Sequence, residues 1–301
     1  MVPIVLTRGL NLMILWRRAR QRVSCSLEAP SSMSEPREHY ILATGGKDTT
    51  RLRLLHQVYG PGTESLFNRV GLQAGMRVAE IGCGSGNTTC WLAEQVGPTG
   101  SILAIDVSPE QVEQARLQAK QRNLTNIEFH VADAYAPKLP EGTFDIAYCR
   151  LVLMHLTRPA AALAAMRNLL RPGGTVVCEE MDLSCWLCDP PAEAMSRFFE
   201  LNTALGNARS ENYSLGVSLH QLFREAGFEN PNVAANFPLT IRGETKHLLD
   251  MTFSEFAPEL ITEGLATKAD TDKITSELQT LADDETTLFG FPLVVQVWGK
   301  R

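Results

Sequence analysis

The chain has 301 residues, of which 44% are hydrophobic and 21% charged, which excludes a wholly disordered chain and allows about two domains, or one domain with large additions. Its seven cysteines are too few for a disulfide scaffold, so we expect reduced thiols. The net charge of −6 divides into +5 for residues 1–27 and −11 for the remainder, and an acidic body argues against a nucleic-acid partner.

The first 33 residues are predicted to be an extension outside the fold. The segment Met1–Arg22 is apolar and then basic, the reverse of a secretory signal, and its apolar run is too short to cross a bilayer of about 30 Å. Three interpretations stay open: an arginine-rich transit peptide, a membrane-surface helix, or an extension preceding a working start at Met33. We expect a cytoplasmic protein without stable membrane insertion.

Short strands and helices alternate after a first helix predicted at Glu64–Val70. The predicted strands are Met76–Ile81, Ser101–Ile105, Asn126–Val131, Phe144–Cys149 and Thr175–Glu180. The predicted helices are Asn87–Val96, Arg158–Leu170, and one that begins with Ser108 as N-cap and ends at Asn123. A turn is predicted at Arg171–Gly174. This alternation predicts βαβ units and a parallel sheet.

The regular alternation of strands and helices ends after Glu180. Helices are predicted at Ala192–Asn207, Leu215–Ala226 and Glu244–Asp284, with Thr267 as an N-cap inside the last. Strands are predicted at Asn232–Ile241 and Phe289–Trp298.

The glycine loop after the first strand carries the most chemical information. Glycines at positions 82, 84 and 86 are followed by Asn87, whereas a dinucleotide-binding loop needs G-x-G-x-x-G/A. The acid Glu80 disfavours a pyrophosphate and suits an ammonium group, such as that of S-adenosylmethionine. This cofactor is therefore favoured, and a NAD-dependent dehydrogenase is the lesser alternative.

Two further acids follow neighbouring strands. Asp106 ends the second strand, 24 residues after Gly82, where an acid can bind ribose hydroxyls. Asp133 ends the third strand, where it can accept a hydrogen bond from an adenine amino group. The alternative for Asp133 is a loop acid that caps the next segment.

In chain order, these motifs resemble those of class I S-adenosylmethionine-dependent methyltransferases, especially the ubiquinone/menaquinone-biosynthesis and natural-product group. The motifs are Glu80–Gly86, Asp106, Ala132–Ala134, Phe144–Ile146 and Leu170–Gly174. The resemblance covers about Gly71–Glu180. It implies an α/β, Rossmann-like, seven-stranded, mostly parallel sheet with an antiparallel last strand, plus helical cap or lid additions.

The chain departs from the resemblance between its last two predicted strands, where family members often have a short hairpin and this chain has a helical connection of about 47 residues, Arg242–Leu288. We expect an N-terminal helical cover at residues 34–70 and a methyltransferase domain at 71–301, with a helical lid inserted at 243–287. A pocket walled by the cover, Cys185–Asn207 and the lid would suit a small, partly apolar acceptor, methylated on O, N or C. Whether the chain is a monomer or a homodimer is left open.

Residue roles are carried over from the resemblance. Glu80 meets the methionine ammonium, Asp106 the ribose and Asp133 the adenine, while Cys149 and Arg150 flank the reactive methyl. The candidate cofactor-binding residues are Tyr40, Gln57, Glu80, Gly82, Cys83, Gly84, Asn87, Thr88, Asp106, Val107, Asp133, Ala134, Cys149 and Arg150. Tyr40 and Gln57 belong to the cover, where helix surface or packing is the alternative.

Candidates for the transfer step are fewer. His155 is a possible general base, against a structural or surface histidine. The acids Glu179, Glu180 and Asp182 are interpreted by default as solvated loop acids, with acceptor binding as the alternative. The cysteines Cys178, Cys185 and Cys188 are interpreted as reduced thiols in preference to a zinc or arsenite site, so no metal is predicted.

The same motifs are compatible with other functions. A non-catalytic or non-methylating S-adenosylmethionine-binding protein would share every cofactor motif. A protein or RNA methyltransferase is disfavoured by the acidic body and the predicted lid.

Overall fold

The computed structural model describes residues 48–301, so Tyr40 and the predicted extension lie outside the described residues. The described helices are α1 (Asp48–Val70), α2 (Asn87–Val96), α3 (Pro109–Gln121), α4 (Pro159–Leu169), α5 (Glu193–Ala208), α6 (Leu219–Glu225), α7 (Leu248–Thr262) and α8 (Lys268–Asp283). Short 3-10 helices lie at Leu153–His155, Leu215–Ser218 and Glu244–His247.

The strands form two sheets. They are β1 (Arg77–Ile81), β2 (Ser101–Asp106), β3 (Ile127–Val131), β4 (Phe144–Arg150), β5 (Leu170–Asp182), β6 (Leu187–Asp189), β7 (Asn232–Asn236), β8 (Leu239–Thr240), β9 (Leu288–Gly290) and β10 (Leu293–Lys300). The main sheet has seven strands in the order β3-β2-β1-β4-β5-β10-β7, and β10 is antiparallel to both of its neighbours. The predicted mostly parallel sheet with an antiparallel last strand is confirmed.

Successive residues of the central strands pack into different apolar clusters. Ala147 and Cys149 of β4 belong to one cluster, and Ile146 and Tyr148 to the other. This alternation is expected because neighbouring strand residues point to opposite faces. Both faces of the main sheet are therefore covered, as a parallel sheet requires.

Helix α1 is much longer than the predicted Glu64–Val70. It runs for 23 residues through Pro61, which the sequence Gly60-Pro61-Gly62 would ordinarily interrupt. Its middle turn lies against β7, since a Cβ on Gly62 would be 1.9 Å from the Asn236 amide nitrogen. Asn236 also donates to the Tyr59 carbonyl over 3.3 Å. Tertiary contacts thus stabilise a helix whose local sequence disfavours it.

Both predicted C-terminal strands are divided in the structure. The segment Asn232–Ile241 splits into β7 and β8, and Phe289–Trp298 splits into β9 and β10. Pro238 and Pro292 lie at the two breaks, where a residue without an N–H cannot continue the ladder. The short halves, β8 and β9, join β6 in a separate three-stranded sheet. The prediction of two uninterrupted strands was wrong for this reason.

The predicted turn at Arg171–Gly174 is part of β5 instead. The register between β4 and β5 shifts between Phe144 and Ile146, and Gly173 has a φ of +80°. A bulge with a left-handed glycine therefore absorbs the residues that looked like a turn.

The insertion between β8 and β9 carries α7 and α8. The predicted N-cap Thr267 is present at the start of α8 and forms a capping box: Thr267 accepts from the Asp270 N–H, and Asp270 accepts from the Thr267 N–H. None of the helices in residues 48–301 combines the length and hydrophobicity that a bilayer span requires.

Candidate active site

The glycine loop joins β1 to α2 at the carboxyl end of the sheet. Gly82, Gly84 and Gly86 all have positive φ, at +74°, +52° and +85°. A Cβ on Gly82 would lie 2.3 Å from the Val152 side chain, and one on Gly86 would lie 2.8 Å from the Ala115 Cβ. Packing alone therefore requires glycine at these two positions. Gly84 is less crowded, with Leu52 of α1 the nearest contact at 3.7 Å.

Asp106 holds this loop against the start of α3. Its carboxylate accepts from the Gly84 N–H over 2.9 Å and from the Ser108 N–H over 3.0 Å. Ser108 in turn accepts from the Gln111 N–H, which confirms the predicted N-cap. Asp106 is half-buried and Val107 beside it is exposed, so the acid and an apolar side chain lie at the mouth of the loop.

Glu80 is the buried acid at the end of β1. Its Oε2 atom is buried and makes no hydrogen bond within the described residues. Burial raises the pKa of Glu80 to about 7, while Thr89 and Arg150 act in the opposite direction. A buried, unsatisfied carboxylate oxygen is costly, and a cationic partner would offset the cost.

The residues that begin α2 are held by their own neighbours. The Asn87 amide donates to the Ser85 hydroxyl over 3.1 Å and accepts from Gln118 of α3 over 2.9 Å. The side chains of Thr88 and Cys83 are buried, and burial raises the pKa of the Cys83 thiol well above its usual range. The side chains of these three candidates are thus buried or already hydrogen-bonded. Their backbone atoms are therefore better placed to contact a ligand in the loop.

Asp133 and Ala134 lie in a tight turn after β3. The Asp133 carboxylate accepts from the Tyr135 N–H over 2.8 Å, and its carbonyl accepts from the Ala136 N–H over 3.1 Å. The capping interpretation is thus realised in the structure. Because the carboxylate is exposed, it keeps lone pairs for a further partner.

A buried polar network lies behind Arg150. The network is centred on Glu179, which is directly opposite Arg150 on one neighbouring strand and Gln296 on the other. Its carboxylate accepts from the Thr63 hydroxyl (2.8 Å), the Tyr148 hydroxyl (2.8 Å) and the Gln296 amide (2.7 Å). Arg150 donates to the Thr63 hydroxyl over 3.0 Å. Helix α1 is thereby attached to three strands of the sheet and to the arginine at the site.

The next residue, Glu180, serves the opposite face. Its carboxylate accepts from three consecutive N–H groups, those of Val152 (3.1 Å), Leu153 (2.8 Å) and Met154 (3.3 Å). Burial raises the pKa of Glu180 to about 8, and these backbone hydrogen bonds oppose the shift. The interpretation of Glu179, Glu180 and Asp182 as solvated acids was wrong, because all three are buried. No local signal reveals the burial of Glu179 and Glu180, since their partners lie far along the chain.

His155 ends the turn that Glu180 holds. Its Nδ1 atom lies 3.3 Å from Glu211 Oε2, and its ring is edge-on to Tyr213 with centroids 5.2 Å apart. The Asn212 N–H donates to the Met154 carbonyl over 3.0 Å, which joins the two segments. The turn also reaches the glycine loop, since Val152 is the residue packed against Gly82.

The remaining candidates are Cys149 and Gln57. The Cys149 side chain is buried with its Sγ 3.4 Å from that of Cys178, so only its backbone can face a ligand. Gln57 is exposed on α1. In residues 48–301 no group of three or more acids, histidines and cysteines is placed to bind a metal, and the Cys188 thiol contacts the Pro190 carbonyl.

These features fit S-adenosylmethionine. The unsatisfied Glu80 oxygen can take the methionine ammonium, and the glycine backbone leaves space for close approach of a ligand. Asp106 is placed at the carboxyl end of β2, where ribose is bound in such sheets.

Comparison with known proteins agrees with this geometry. A family model described as a methyltransferase domain matches residues 72–227. A 37.1 kDa protein in transposon TN4556 of Streptomyces fradiae is 31% identical over 229 residues, covering 73% of this chain and 65% of that protein. Demethylmenaquinone methyltransferase of Lactococcus lactis is 29% identical over 180 residues, covering 54% of this chain and 69% of that protein.

A solved structure has a similar fold. The solved structure of the YcgJ protein from Bacillus subtilis superposes with a TM-score of 0.54 at 17% identity, covering 82% of this chain and 98% of that one. The region matched by the family model, residues 72–227, extends from β1 past α6 and contains the glycine loop, Asp106, Arg150 and His155. The chain therefore belongs to the methyltransferase-domain family, whose cofactor is S-adenosylmethionine.

Proposed function

We propose that the protein transfers a methyl group from S-adenosylmethionine to an O, N or C atom of a small, partly apolar molecule. The observation that carries the proposal is the buried, unsatisfied Glu80 oxygen beside a left-handed glycine loop. A pyrophosphate would be repelled by this carboxylate, which disfavours the NAD-dependent alternative. We assign the reaction to cytoplasmic small-molecule metabolism.

The residue roles form part of the proposal. Glu80 pairs with the ammonium, the backbone of Gly82, Cys83 and Gly84 follows the methionine and ribose, and Asp106 binds the ribose hydroxyls. The other proposed cofactor contacts are Asn87 and Thr88 at the start of α2, Val107, Asp133 and Ala134 around the adenine, Cys149 and Arg150 beside the methyl, and Tyr40 and Gln57 in the cover.

The bound cofactor supplies an electrophilic sulfonium methyl. The chain's contribution is to position the acceptor and exclude water. Support for an enclosed site comes from contacts among the proposed walls: Arg51 of α1 lies 2.7 Å from Glu255 of α7, and Arg209, after α5, lies 2.5 Å from Glu259. We propose that the cover (34–70) and the lid (243–287) close over the domain (71–301).

An apolar wall supports a partly apolar acceptor. Trp186 and Phe199 stack with ring centroids 4.7 Å apart and planes inclined by 17°. Phe198 of the same helix packs on Phe253 and Phe256 of α7. The phenylalanines are buried in the core, so the half-buried Trp186 is the ring through which we propose contact with the apolar part of the acceptor.

Calorimetry and methyl transfer test the proposal together. We expect the full chain to bind S-adenosylhomocysteine but not NAD, with binding weakened by Glu80→Gln and unchanged by Glu94→Gln, an exposed acid on α2. Labelled methyl should then pass to a low-molecular-mass metabolite extract. Binding without any transfer would favour a non-methylating protein of the same fold, and binding of NAD alone would favour a dehydrogenase.

A further inference from the structure

The His155–Glu211 pair is a feature that cofactor binding does not explain. The two residues come from separate segments, one after β4 and the other after α5. Both side chains are largely buried, with exposed fractions of 16% for His155 and 10% for Glu211. A histidine whose Nδ1 faces a carboxylate has its ring orientation and tautomer set by that carboxylate.

The surroundings hold this pair in place from both sides. Glu180 fixes the turn before His155 through three backbone N–H groups. On the other segment, the Glu211 N–H donates to the Gly206 carbonyl over 2.9 Å, and the neighbouring Asn212 N–H bonds to Met154. Tyr213 packs edge-on against the imidazole. Such support is expected where a side chain must keep one orientation.

The pair is also at the correct edge of the sheet. Val152, three residues before His155, is the residue that closes on Gly82 of the cofactor loop. Both β4 and β5 end here, where open α/β sheets bind their ligands.

We propose that Glu211 is a positioning residue that orients His155 as the general base, and that the acceptor carries a weakly acidic hydroxyl, such as a phenol or hydroquinone. This inference rests on the proposed function and narrows its acceptor class. As the methyl carbon forms its new bond and its bond to sulfur breaks, the hydroxyl proton passes to His155 Nε2. The resulting imidazolium is stabilised by the Glu211 carboxylate. An amine or thiolate acceptor would need no such base.

The tautomer of His155 gives a test that needs no acceptor. In the ¹⁵N-histidine NMR spectrum of the full chain, we expect neutral His155 as the Nδ1–H tautomer, identified by its loss in His155→Gln. Glu211→Gln should convert much of it to the Nε2–H form. The control Glu229→Gln, the same change at an exposed acid, should leave it unaltered. A wild-type Nε2–H tautomer would overturn the dyad.

Kinetics test the acceptor class. Labelled methyl transfer is measured to a panel of phenols and hydroquinones, with matching anilines and thiophenols. We expect product from the hydroxyl compounds, a decrease in kcat of about 10²-fold or more for His155→Gln and about 10-fold for Glu211→Gln, and little change in KM. S-adenosylhomocysteine affinity should be unchanged in both variants.

The possible outcomes distinguish failure of this inference from failure of the proposed function. Transfer to anilines or thiophenols that is insensitive to Glu211→Gln overturns this inference and leaves the proposed function intact. If the chain does not bind S-adenosylhomocysteine, the proposed function fails, and the tautomer measurement still decides whether Glu211 orients His155.

Discussion

The glycine loop and the acid pair at the end of β5 are built in different ways. In the loop, conformation comes from positive φ angles and from short-range hydrogen bonds, such as that from the Gly86 N–H to the Cys83 carbonyl. At the end of β5, Glu179 and Glu180 bind groups from distant segments, one on each face of the sheet. The conformation of the glycine loop therefore depends largely on nearby residues, whereas the groups bound by Glu179 and Glu180 come together only when the whole domain is assembled.

The largest expected effect is the loss of stability when the Glu179 carboxylate is removed. Glu179→Ala would leave the hydroxyls of Thr63 and Tyr148 and the Gln296 amide without their buried acceptor. We expect a loss of about 4 kcal/mol in the free energy of unfolding, measured by urea denaturation. Glu64→Ala, an exposed acid beside Thr63 on the same helix, should cost less than about 0.5 kcal/mol. Equal effects for the two variants would refute the importance of the network.

In the glycine loop, stability should depend on the absence of a side chain at Gly82. Gly82→Ala places a Cβ 2.3 Å from Val152 at a φ of +74°, and we expect a cost of about 3 kcal/mol from strain and overpacking. Gly142→Ala is the matched control, since Gly142 has a φ of +67° with nothing within 4 Å of the added atom. Its cost should be about 1–2 kcal/mol. If both variants lose the same amount, the packing against Val152 is unimportant.

Glu80 is expected to make cofactor affinity depend on pH. Because burial raises its pKa from 4.5 to about 7, the folded chain binds an extra proton between these values, and stability falls as the pH rises through this range. A cationic ligand favours the ionised form, so S-adenosylhomocysteine affinity should be about tenfold weaker at pH 6 than at pH 8. Calorimetry in buffers of different ionisation enthalpy should detect the released proton. A pH-independent affinity for wild type, or the same dependence in Glu80→Gln, would contradict the assignment.

The smallest expected effect concerns an exposed ion pair of α1. Arg53 of α1 lies 2.5 Å from Glu244, but both side chains are about half exposed. Because solvent screens such pairs, Arg53→Ala should change the free energy of unfolding by about 0.5 kcal/mol or less. A loss above 2 kcal/mol in thermal or urea unfolding would show that α1 is attached mainly through its outer face.

The same contrast explains what the sequence could reveal. The glycine loop and the N-caps Ser108 and Thr267 are signals contained within a few residues, and all are present as predicted. The network around Glu179 was missed because its partners, Thr63 and Gln296, lie 116 and 117 residues away in the chain. The continuation of α1 through Pro61 likewise depends on contacts with β7, which no local pattern contains.

The two prolines at which strands change sheets lie side by side. The Phe291 N–H, one residue before Pro292, donates to the Pro238 carbonyl over 3.0 Å. The intervening segment includes β8, α7, α8 and β9, and it therefore leaves and rejoins the main sheet at neighbouring positions. Because its two ends lie close together, such a segment can be replaced by a longer or shorter one at little entropic cost. The segment that we propose as the lid can thus change in length without altering β7 and β10, the two main-sheet strands that it connects.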